Sequence, residues 1–239
     1  MFMNNYIFKM ISNKNVAEEF RYERKFVSQN LRESDFRHLM RIHPSCFSKI
    51  FKQRQVNSIY FDTHDLVNCK DNLAGISNRL KIRIRWYGNT FGEIKNPVLE
   101  LKIKKGELGK KISFKLKDFR IDKPFSNQTL QEALLDSNLP DWLNEKLKSY
   151  KAIILISYKR EYFRSKDKKF RITLDNDLSF FKIRDKINHF KEVRQDKSTQ
   201  IIELKYNFID EFLASTISNL FPFRLTANSK YVWGIKLLE

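Results

Sequence analysis

The sequence predicts an α+β protein built around a large antiparallel sheet or barrel, and three observations lead there. At least five segments alternate apolar and charged residues with period two. Stretches with helical spacing separate them. The 239 residues include only 6 Gly and 5 Pro, with no repeat and no Gly/Ser/Pro-rich linker, which argues for one continuous domain. A hydrophobic content of 41%, with 21 Phe, 9 Tyr and 3 Trp, can fill a sizeable core and argues against intrinsic disorder.

Residues 1–15 lack periodicity and read as a flexible leader, leaving 16–239 as the folded domain. An opening strand near Phe20 to Phe26 puts Arg21, Glu23 and Lys25 on one side. Ser34 is placed to cap a helix running toward Ile42, which Pro44 interrupts. Val56 to Asp62 reads as a strand. The clearest strand is Arg79 to Trp86, whose odd positions carry only cations and whose even positions are all apolar. In Leu99 to Lys104, Glu100, Lys102 and Lys104 share a face, and Lys110 to Lys115 is the next strand. Helices are expected over Asn127 to Asp136 and, after the break at Pro140, over Trp142 to Tyr150. Strands follow at Ile153 to Phe163, at Phe170 to Asp175 with Arg171, Thr173 and Asp175 aligned, and at Ile202 to Tyr206 with Glu203 and Lys205 together. Asn207 to Leu220 reads as a helix with Phe208, Phe212, Ile217 and Leu220 on one stripe.

Lys and Arg number 46 against 28 Asp and Glu, a net charge of +18, so the partners expected are anions: nucleic acid, lipid headgroups or phosphorylated small molecules. Cys46 and Cys69 are too few for a disulfide framework or a zinc site, which predicts a reducing, cytoplasmic compartment. The longest aliphatic run, Ala152 to Ile156, falls far short of the ~20 residues of a spanning helix. Only peripheral contact with a membrane is left open.

An ordinary amphipathic strand turns its charges to water. Here, however, opposite charges recur at two-residue spacing in Glu23/Lys25, Glu100/Lys102 and Glu203/Lys205. One geometry uses them all: the sheet closes into a barrel, turns its charged faces inward and covers its apolar outside with helices. A dry, empty lumen of that kind is unstable, whereas one filled by water and a polyanion is not. Arg83 and Arg85 can each hold phosphate oxygens in forked hydrogen bonds of roughly 1.5–3 kcal/mol. The interleaved carboxylates make sense if a hard divalent ion is held too. The expectation is a metal-dependent phosphate site inside a barrel.

The runs Asn57-Ser58-Ile59-Tyr60-Phe61-Asp62-Thr63, Leu80-Lys81-Ile82-Arg83-Ile84-Arg85-Trp86-Tyr87-Gly88 and Leu99-Glu100-Leu101-Lys102 resemble the VTC (vacuolar transporter chaperone) domain. That domain is the polyphosphate polymerase branch of the triphosphate tunnel metalloenzymes, related to the CYTH proteins. Ser157-Tyr158-Lys159-Arg160-Glu161-Tyr162-Phe163, Arg171-Ile172-Thr173-Leu174-Asp175, Ile202-Glu203-Leu204-Lys205 and Ser229-Lys230-Tyr231 agree in order. The resemblance spans about Phe20 to Ile235. It implies a closed antiparallel eight-stranded tunnel that binds ATP or triphosphate with Mg²⁺ or Mn²⁺ and transfers the γ-phosphate to polyphosphate. By the same resemblance, Arg83, Arg85, Lys102, Arg160 and Arg171 stabilise charge in transfer. Lys25, Lys111, Lys205 and Lys230 join them in binding phosphate. Glu203 matches the metal ligand, with Glu23 and Glu100 as second candidates.

Two other readings stay beside this one. The same fold also serves hydrolases acting on triphosphate or tripolyphosphate, with Glu23 or Glu100 as the base. A non-enzymatic binder of polyphosphate or RNA would use Arg79 to Arg85 for phosphates and stack bases on Trp86 or Tyr87. Against RNA stand the interleaved Glu residues and the absence of a known RNA-binding motif, so no specific nucleic acid is expected. No P-loop, kinase signature or nucleophile elbow is present.

Overall fold

The computed structural model describes residues 21–105 and 108–239; the expected leader, 1–15, lies outside them. In chain order the first strands are β1 (Arg21–Gln29), β2 (Ser48–Asp62), β3 (Asn78–Tyr87), β4 (Gly92–Ile94), β5 (Val98–Lys105), β6 (Leu108–Lys115), β7 (Phe119–Ile121) and β8 (Phe125–Ser126). Then come β9 (Lys151–Arg164), β10 (Arg171–Lys182), β11 (Ile187–Asn188), β12 (Val193–Asp196) and β13 (Thr199–Asn207). Nine of them form one antiparallel sheet in the order β1-β13-β10-β9-β2-β3-β5-β6, with β12 on β10. β4 pairs with β7 and β11 with β8 in two small ladders.

The expected α+β class with a large antiparallel sheet is therefore found. Among the described residues no ladder joins the two ends of the path, β1 and β6, although their Cα atoms come within 8 Å. Lys102 of β5 reaches across that seam to Glu23 of β1, 3.2 Å away. The sheet is thus strongly curled, and one face is turned in on itself.

Among the described residues six α-helices pack on the sheet: α1 (Glu33–Ile42), α2 (Val67–Leu73), α3 (Asn127–Leu135), α4 (Asp141–Leu147), α5 (Glu211–Asn219) and α6 (Lys230–Leu238). α1 begins one residue before Ser34, whose hydroxyl donates to Asp35 at 3.3 Å and caps nothing. Glu33 and Asp35 instead supply negative charge to its first turn. The helix ends at Ile42, before Pro44, as expected. The stripe expected on Asn207 to Leu220 is corrected: Phe208–Asp210 is a 3₁₀ turn that breaks the helical phase. Ala214, Ile217 and Ser218 are buried, while Phe208, Phe212 and Leu220 face solvent.

The outer face of the sheet holds two apolar clusters. Leu80, Ile82, Ile84 and Trp86 of β3 pack with Leu99, Leu101 and Ile103 of β5 beneath α3 and α4. Ile172, Leu174, Ile202 and Leu204 pack beneath α1 and α5. The inner face is divided. Ile154, Ile156, Leu178, Phe180 and Ile201 hold α6 against one half of it, and the charged residues occupy the other. A bulge between Asn176 and Ser179, with Asp177 at φ 49°, puts Leu178 and Phe180 on the face that Asp175 begins. α6 lies close because Gly234 has no side chain: a Cβ there would sit 2.6 Å from both Ile154 Cδ1 and Phe180 Cδ1. Asp62 anchors α6 from the side, accepting the Tyr231 hydroxyl at 2.6 Å and the amides of Thr63, Asn68 and Cys69.

Candidate active site

Alternation along five strands delivers charge to the inner face. β3 contributes Lys81, Arg83 and Arg85, β5 Glu100 and Lys102, β1 Glu23 and Lys25, β9 Arg160, and β13 Glu203 and Lys205. Lys230, the first residue of α6, enters from the plugged end. A cavity of 80 Å³ lies among Lys25, Lys81, Arg83, Arg85, Lys102, Arg160, Glu203, Lys205 and Lys230, with Tyr60, Tyr158 and Ser229 completing its wall. Lys25, Lys81, Lys102 and Ser229 also line an adjoining chamber of 730 Å³ that includes Glu23, Arg79, Lys104, Trp233 and Lys236.

Of the residues expected from sequence, Lys25, Arg83, Arg85, Lys102, Arg160, Lys205, Lys230 and Glu203 thus meet in one place. Glu100 and Lys111 stand just beside it: Glu100 takes Arg83 Nε at 2.8 Å, Arg85 Nη1 at 3.5 Å and Lys111 Nζ at 3.1 Å. Arg171 shares the face but lies one step along it, opposite Lys205 and Arg164, outside the cavity wall. Lys81, Tyr60, Tyr158 and Asp175 are additions. The signal for Lys81 was present, since it shares the all-cation face of Arg79 to Arg85. Asp175 was visible as the residue aligned with Arg171, and its role as the buried counter-ion appears only in three dimensions.

Two carboxylates organise the far wall. Asp175, fully buried, takes Arg160 Nη2 at 2.6 Å and Lys230 at 2.5 Å. Glu203 receives Arg160 at 3.2 Å, Lys205 at 3.0 Å, and Lys25 and Lys230 at 3.6 Å. Burial pushes the Glu203 carboxyl upward, but Lys205, Arg160, Lys230 and Lys25 together hold it well below the usual carboxylate range. Glu100 is likewise raised by burial and lowered further by Arg83, Arg85 and Lys111, to about 2. Each of these acids stays ionised at any pH near neutral.

On the near wall compensation is partial: Glu23 takes Lys102 and Glu100 takes Lys111, while Lys81 has no carboxylate among the described residues. Lys81, Lys102 and Lys111 stand directly opposite one another across β3, β5 and β6. Like charges in that position destabilise a sheet. Lys81 makes no ion pair among the described residues; its ammonium donates to Ser229 Oγ at 2.8 Å. Burial, then the fields of Lys25, Lys102, Arg79 and Arg83, hold it well below the ordinary lysine range. Arg85 Nε is buried without a hydrogen-bond partner. Lys81 and the Arg85 Nε–H thus remain open to an anion.

A pH dependence follows from Lys81. A polyanion bound there would offset the repulsion and raise the Lys81 pKa, so its binding would take up a proton and weaken as pH rises through the depressed value of the free protein. Calorimetry of tripolyphosphate binding in two buffers of different ionisation enthalpy should show more proton uptake for the wild type than for Lys81→Met. Equal uptake by the two proteins would contradict this account.

The expected metal ligands are not a ready-made cluster: among the described residues no three His, Cys, Asp or Glu side chains could hold one ion together. Glu100 lies apart, on the arginine side. Glu203 and Glu23 both contact Lys25. Magnesium bound to phosphates needs only one or two carboxylates, so this ionised pair of hard oxygen donors fits such an ion. His64, beside Asp65 and exposed, has no part in the site. Of the two rings expected to stack bases in the RNA reading, Trp86 is buried on the outer face, away from the arginines, whereas Tyr87 is half exposed.

Among the described residues no helix is long and apolar enough to cross a membrane. Solved structures similar to this one include the PH1819 protein from Pyrococcus horikoshii, at 15% identity and a TM-score of 0.49, covering 91% of this chain and 99% of that one. The Hippeastrum protein HpAC1, an adenylyl cyclase homologue described as having a dominant triphosphatase activity, has 13% identity and a TM-score of 0.48, with 91% and 95% covered. No curated protein sequence matches the chain. The family model of the VTC domain matches residues 20–239, which take in every strand and helix described above, and the chain belongs to that family.

Proposed function

We propose that this chain is a phosphotransferase that moves the γ-phosphate of ATP onto the end of an inorganic polyphosphate and releases ADP. The observation that carries the reading is the convergence of Arg83, Arg85, Lys102, Arg160, Lys205 and Lys230 on one cavity, with cations in excess of carboxylates, in a member of the VTC family. The curled sheet then serves as a tunnel for a chain of phosphates.

Phosphoryl transfer asks a protein for alignment and charge stabilisation more than for covalent help. A terminal oxygen of the acceptor attacks the γ-phosphorus while the bond to the β–γ bridging oxygen breaks. Arg160 is buried and Arg83 and Arg85 are partly buried, and Asp175 and Glu100 fix the guanidinium planes of Arg160 and Arg83, so their donors are preorganised. Lys25, Lys81 and Lys102 continue the cationic wall into the larger chamber, which provides room for the acceptor chain. Mg²⁺ or Mn²⁺ held by Glu203, with Glu23 as a second ligand, would neutralise phosphate charge there.

The carboxylates favour transfer over hydrolysis. A water nucleophile calls for a base, yet Glu100 is lowered to about 2 and Glu23 is also held below its ordinary value, despite burial and Glu203, by Lys25, Lys102 and Lys205. A polyphosphate end is already anionic and has no proton to lose. Incubation of the purified protein with ATP and Mn²⁺ should yield ADP and long-chain polyphosphate. ADP with free orthophosphate alone would make it a hydrolase, and no nucleotide turnover would leave a binder.

A further inference from the structure

Along β3 the inner-face residues run Lys81, Arg83, Arg85 and then Tyr87, so Tyr87 lies one face-step, ~7 Å, beyond the last arginine of the cavity. Along β9, Tyr162 stands in the same relation to Arg160. Between them, on β2, Arg54 is directly opposite Arg160 and Phe51 opposite Tyr162. Phe51 and Arg54 are three residues apart and would point to opposite faces of a regular strand. Register shifts between Lys49 and Phe51 and between Phe51 and Arg54 bring them together.

The result is one guanidinium among three rings. Arg54 Cζ lies 4.6 Å from the centroid of Phe51, 5.6 Å from that of Tyr87 and 5.7 Å from that of Tyr162. Phe51 and Tyr162 meet edge to face at 5.6 Å. Arg54 makes no ion pair among the described residues, and Phe51 and Tyr87 are 47% and 49% exposed. Hydration of large rings and an uncompensated guanidinium at one end of a phosphate site are what a stacked base would relieve.

The geometry points to a nucleobase subsite here, in which the base of a nucleoside triphosphate stacks on Tyr87 and Arg54 while its phosphates run inward past Arg85 and Arg160. This rests on the triphosphate reading above and adds to it the residues that receive the base and the direction in which the phosphates run. A ribose spans about one face-step, so the α-phosphate falls at Arg85 and Arg160 and the γ-phosphate points toward Lys25, Lys81 and Lys102. Stacking tolerates any base and favours the larger purines.

The test compares ATP with inorganic tripolyphosphate, which has no base, by calorimetry without added divalent metal. Tyr87→Leu and Arg54→Gln should each weaken ATP binding about 5- to 100-fold. Tyr87→Leu should leave tripolyphosphate binding within twofold, which also reports an intact fold. ATP binding unchanged in Tyr87→Leu, or lost in step with tripolyphosphate, overturns the subsite. So does a selective loss of ATP in Trp233→Leu instead, because Trp233 lines the chamber at the other end. A wild-type protein that binds neither ligand removes the triphosphate reading itself; one that binds tripolyphosphate and ATP equally removes only the subsite.

Discussion

Glu203→Gln is expected to reduce metal-dependent turnover by roughly 100-fold or more while leaving tripolyphosphate bound as tightly as in the wild type, or more tightly. The two outcomes separate because Glu203 faces both ways. Its carboxylate is the acid best placed to hold a divalent ion, and it also neutralises Lys25, Arg160, Lys205 and Lys230. Gln keeps the shape and removes the charge, so the cations turn wholly to the ligand. Steady-state rates with Mn²⁺, set beside a metal-free binding isotherm, check both halves. A variant that retains metal-dependent turnover would exclude Glu203 as the ligand.

Arg83→Ala is expected to weaken tripolyphosphate and ATP binding by roughly 10- to 150-fold, the value of one forked, charge-assisted contact. Arg83 is partly buried and held in place, with Nε and Nη2 on Glu100 at 2.8 and 2.7 Å and Nη1 donating to the Tyr60 hydroxyl at 3.0 Å. Glu100 keeps Arg85 and Lys111 when Arg83 is removed, so the fold should survive with a lowered Tm. Arg83→Lys restores charge without the planar fork and should fall between the two. A folded Arg83→Ala protein that binds tripolyphosphate like the wild type would end the assignment of this cavity.

Much of the architecture was legible because it obeys period two. Arg79 to Trp86 has one all-cation face and one all-apolar face, and the two lie on the inner cavity and in the outer core. Where a strand leaves that pattern the sequence is silent. The first half of β2 is polar and exposed, so its extension past Val56, and the bulges that gather Phe51 and Arg54, left no alternation to read. α6 was missed for a related reason. It is apolar on nearly every side because it is buried inside the curl, and Gly234 is a packing necessity that resembles a helix breaker. The phase of Asn207 to Leu220 was misread because a 3₁₀ turn shifts it by a fraction of a turn, enough to send Phe208 and Phe212 outward. The charges that line the cavity were legible as a set. Their partners were not, since counter-ions such as Asp175 and Arg160 are defined by strand register.

The bank of ammonium groups on Lys81, Lys102 and Lys111 has a consequence for the molecule when it is alone. Glu23 and Glu100 offset Lys102 and Lys111 only in part and leave Lys81 among cations, so a polyanion that settles there relieves the remaining repulsion in the folded form. Occupancy and folding are then linked quantities. The melting temperature should then rise with the concentration of any polyanion that binds there.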